Sequence, residues 1–160
     1  MLAGDIGQYK IFGVPYDAGF GKRTVAHSAM LVHDPKEITP GGNDGGQRQG
    51  RAIITAAGFH QKENRFADTL AADFGPVAER PLYTLLKTDM TASYPKGRLE
   101  KHIRSFYFLN FNDPEFPGAV VVADRVESMF TKYFQVNTPC KVLKTPGGVQ
   151  LASDHIPGLP

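Results

Sequence analysis

Glycine and proline recur along this chain at intervals too short for long helices. Seventeen glycines and twelve prolines are spread over 160 residues. Glycine opens turn conformations closed to other residues and proline removes a backbone donor, so the stretches between them suit strands and turns. Strands are read at residues 8–14, 27–33, 51–58 and 81–88, with a glycine-rich loop over residues 41–50. Residues 64–74 are ambiguous: Phe66, Leu70 and Phe74 fit a helical period, but two turns decide little. The strongest strands come late. Residues 101–111 are rich in aromatics. Residues 118–126 form a continuous Ala/Val run, the pattern of a strand covered on both faces. Between them, Asn112-Asp113-Pro114-Glu115-Phe116-Pro117 supplies turn chemistry. Residues 130–137 and 141–144 continue the series. Short strands joined by turns predict an all-β chain, an antiparallel β-sandwich.

A chain of this length buries about 70% of its extended surface and can carry a core of its own. It reads as one domain, residues 1–160, and as an incomplete one. A strand follows almost at once on Met1, and the tail Ile156-Pro157-Gly158-Leu159-Pro160 has no obvious finish. Hydrophobic content of 41% and charged content of 21% are those of a soluble globular protein. The formal charge of +2 is too small to argue for nucleic acid, although a local cluster of bases can still hold a polyanion. Cys140 is the only cysteine, which excludes an intrachain disulfide. No apolar run reaches the length of a membrane helix, and the N-terminus lacks the pattern of a signal peptide.

The candidate chemistry lies in two places. The first is the stretch from Asp17 to Val32. Asp17 sits in a glycine-rich turn and His27 at the start of a strand, ten positions apart. Carboxylate oxygen and imidazole nitrogen both suit zinc, but a structural zinc site takes about four ligands. From spacing alone, Asp17 as a turn cap and His27 as a hydrogen-bonded sheet residue is the stronger reading. Lys22 and Arg23 stand between them, and the arginine fork suits carboxylate or sulfate. The second place is Asn43-Asp44-Gly45-Gly46-Gln47-Arg48, whose glycines can bring backbone N–H groups close to a ligand. Either basic turn or glycine loop can equally be plain solvated surface. Cys140, beside Lys141 and followed by apolar Val142 and Leu143, reads as an inert thiol. Tyr9, Tyr16, Tyr83, Tyr94, Tyr107 and Tyr133 are acids or bases in principle and packing residues on the sequence.

Taken in order, these stretches resemble a known family. Asp5–Ile11, Tyr16–Phe20, Lys22–His27, Leu31–Pro35, Asn43–Arg48, Thr88–Tyr94, Arg104–Leu109 and Val120–Val126 are similar, in order and approximate spacing, to the central β-sandwich domain of heparinase II/III-like polysaccharide lyases, on the heparinase II side. The similarity spans about the first 140 residues. It implies a supersandwich-like fold truncated at both ends. The parent would cleave uronic-acid glycans of the heparin or heparan sulfate kind by β-elimination. In that reaction the uronate carboxylate is neutralised, a base removes the C5 proton and an acid protonates the departing O4. An α-helical toroid would precede the sandwich, the parent would be periplasmic or secreted, and the resemblance allows a homodimer.

The resemblance carries over to few residues. Asp17 matches the aspartate of the family's Asp-x-Gly turn and His27 the histidine after Arg-Thr-x-Ala, both as zinc ligands. The family's His-x-His-x-Asp-x-Gly would end at Asp5-Ile6-Gly7, so its histidines fall on Met1 and Ala3 and are absent. Ser28 stands where the family commonly has asparagine. No catalytic residue carries over, and Lys22, Arg23 and Arg48 are the candidates for facing an anionic substrate. The expectation for the chain by itself is an incomplete zinc site and no lyase activity. A non-catalytic carbohydrate-binding or structural sandwich module is the alternative.

Overall fold

A computed structural model describes residues 14–36, 45–47, 66–138 and 140–152. The readings at residues 8–13, 37–44, 48–65 and 153–160 lie outside them. The chain forms two compact units: Met1–Gln47 with Thr131–Pro160, and Arg48–Phe130. Among the described residues all strand pairing is antiparallel, as the spacing of turns predicts. No described helix is long and apolar enough to cross a membrane.

In the first unit, a helical turn at Asp17–Gly21 and a 3-10 turn at Thr24–Ala26 lead into β1, Met30–His33. β1 pairs with β6, Thr131–Phe134, placing Met30 opposite Phe134 and His33 opposite Thr131. Met30, Leu31 and Val32 are buried together with Ala26 and Ala29, and they form the apolar core of this unit. β7, Lys141–Thr145, and β8, Gly148–Ala152, make a separate hairpin that exposes most of its side chains.

The second unit is a four-stranded meander, β2-β3-β4-β5. Its strands are Asp68–Gly75, Tyr83–Asp89, Lys101–Asn110 and Gly118–Glu127. Among its described residues the ambiguous segment is a strand from Asp68 on; Phe66 precedes it, and Leu70 falls at the register shift between Thr69 and Ala71, which interrupts the alternation. The Ala/Val run takes a different place from the one its composition suggests. Among the described residues β5 lies at the sheet edge, with Val120 and Val121 exposed on opposite faces. The buried centre of this unit is largely polar. Ser93, Arg98 and His102 are buried with Tyr94 around the turn Thr91–Ser93. Ser93 Oγ donates to Phe66 O, His102 N to Thr91 Oγ1 and Ser128 Oγ to Arg98 O. These bonds pair several of the buried polar groups, while His102 Nδ1 has no hydrogen-bond partner among the described residues.

Candidate functional site

Backbone turns set the basic stretch of the first unit. Arg23 N donates to Phe20 O at 2.8 Å, Ala26 N to Arg23 O at 2.9 Å and His27 N to Thr24 O at 3.0 Å. The chain therefore turns on either side of Arg23, whose own backbone is extended, and is extended again at His27 after the 3-10 turn Thr24–Ala26. Ala26 is fully buried, and the Tyr16 and Phe20 rings meet at a tilt with centroids 5.6 Å apart. Lys22 stands exposed, Arg23 is buried and His27 is half-buried. The two bases thus meet different environments: Lys22 is exposed to solvent, whereas Arg23 is mostly inside the unit.

The glycine loop comes back to this turn. Gln47 N donates to Thr24 Oγ1 at 2.7 Å, and Val32 N donates to Gly45 O at 2.7 Å. Two motifs twenty-three residues apart are held side by side by these bonds. Gly45 has φ +72°, and a Cβ there would lie 2.9 Å from Val32 C and His33 N. Its lack of a side chain therefore serves close approach to β1 rather than to a ligand. Arg48, Asn43 and Asp44 lie outside the described residues.

A third segment, unnoticed in the sequence, ties the site to the far end of the unit. Gln135, just after β6, donates from its amide to Val25 O, to His27 O at 3.3 Å and to Asn137 Oδ1 at 3.1 Å. Its backbone N–H reaches Ala29 O at 3.0 Å. Ser28 Oγ accepts from Asn137 N at 3.0 Å, so the residue that departs from the family pattern has a structural task. No local signal marks Gln135, because its partners Val25 and His27 are more than a hundred residues away.

Asp17 opens the helical turn Asp17–Gly21, which packs beside Thr24–Ala26, so both proposed zinc ligands lie in this part of the unit. Among the described residues, no three His, Cys, Asp or Glu side chains gather as a metal ion would need. Asp17 and His27 supply two donors where a structural zinc takes about four.

The second unit holds a cluster of charge that the sequence reading missed. Arg104 on β4 lies opposite Asp124 on β5, and His102 is one same-face position along. Asp124 Oδ1 accepts from His102 Nε2 and Arg104 Nε, each at 2.8 Å, and Oδ2 accepts from Arg104 Nη2 at 2.9 Å. Burial pushes the Asp124 carboxyl up. The hydrogen bonds from His102 and Arg104, with the guanidinium charge, outweigh this and hold it at about 2. His102 is fully buried and stacks on Tyr94 at 5.5 Å between centroids. A ring so enclosed cannot meet a polysaccharide, and the cluster joins two strands instead. The signal was His102-x-Arg104 facing Asp124 by alternation, hidden inside an aromatic run. Nearby, hydrogen bonds from Thr91 lower the Asp89 carboxyl.

No family model matches the chain, and no curated protein matches it. The geometry of the two motifs in the first unit is therefore what a functional reading has to stand on.

Proposed function

We propose that this chain is the β-sandwich portion of a polysaccharide lyase that acts on acidic, uronate-containing glycans of the heparin or heparan sulfate kind. The observation that carries the reading is the Gln47–Thr24 hydrogen bond, which holds the glycine loop against the basic turn beneath the exposed Lys22. Arg48 is the next base along the chain from Gln47. An exposed ammonium binds a sulfate or carboxylate as a point charge and tolerates variation in sulfation. Arg23, being buried, acts on this surface by holding the turn. Asp17 and His27 are the zinc ligands this chain would contribute to the parent site. The proton transfers of β-elimination need groups that this chain does not supply, so the isolated chain binds and does not cleave.

Affinity for immobilised heparin, eluted with salt, tests the reading. The chain is expected to be retained and K22A to elute earlier, with a loss of about twofold to fivefold for one exposed charge contact. Release of unsaturated uronate by the purified chain would contradict the inactive assignment. Passage through the column at low salt would contradict the glycan assignment.

A further inference from the structure

We draw no further inference here: the strongest candidate, the apolar face of the four-stranded sheet on which Phe74, Leu86, Phe106, Phe108 and Val120 stand exposed, carries none because nothing in the structure shows what covers it.

Discussion

Gly45 carries the glycine loop against β1, and its role is steric. With φ +72° and a Cβ that would sit 2.9 Å from backbone atoms of Val32 and His33, the position has no room for a side chain and disfavours an L-residue. Gly45→Ala is expected to destabilise the chain by about 1–3 kcal/mol, read as a lower urea midpoint at constant slope. Asp124 gives a second residue-scale expectation. Its carboxyl stands at about 2 when folded, against an ordinary value of 3.8. A depressed carboxyl contributes stability above its unfolded value and loses it as pH falls through the folded one. The contribution of Asp124 is therefore complete above about pH 4 and lost on acidification from about 4 to 2. Asp89, also lowered, adds in the same direction. Asp124→Asn should cost about 1.5–3 kcal/mol at neutral pH and flatten the loss of stability below pH 4, measured by denaturant titration at each pH. An unchanged acid slope would assign that loss to other carboxylates.

At the scale of elements, Gln135 links the end of β6 to the segment that enters β1. Gln135→Ala removes side-chain bonds to Val25, His27 and Asn137 and leaves buried carbonyls short of a donor, at about 1–3 kcal/mol. Faster amide hydrogen exchange at Met30–His33, with the β4–β5 ladder unaffected, is the expected result. Such long-range ties explain what was legible in the chain. The strands at residues 101–111 and 118–126 were legible because aromatic and Ala/Val runs favour extended backbone whatever surrounds them. Phe66, Leu70 and Phe74 were not, because Phe66 precedes the strand and the register shift at Leu70 interrupts its alternation. The placement of β5 at an edge was hidden too: a run of valines records a preference for strand and not the number of neighbours the strand will have. The candidate site divides the same way. Its two motifs could be named from glycines, bases and a histidine, but their contact through Thr24 and Gln47 is a tertiary fact. The burial of Arg23 beside an exposed Lys22 likewise depends on the backbone turns on either side of Arg23, which composition does not show.

For the whole molecule, the reading comes down to whether the turn at Lys22–His27 and the loop at Gly45–Gln47 act as one surface toward an acidic glycan. The Asp124 cluster is enclosed and joins strands, so the account assigns it no part in binding. Amide chemical shifts followed while a sulfated uronate oligosaccharide is titrated into the chain address the question residue by residue. The account predicts that the amides of Lys22–His27 and of Gly45–Gln47 move together, saturate with one affinity and weaken together as salt is raised. Shifts confined to the four-stranded sheet, or shifts of the turn without the loop, would contradict it.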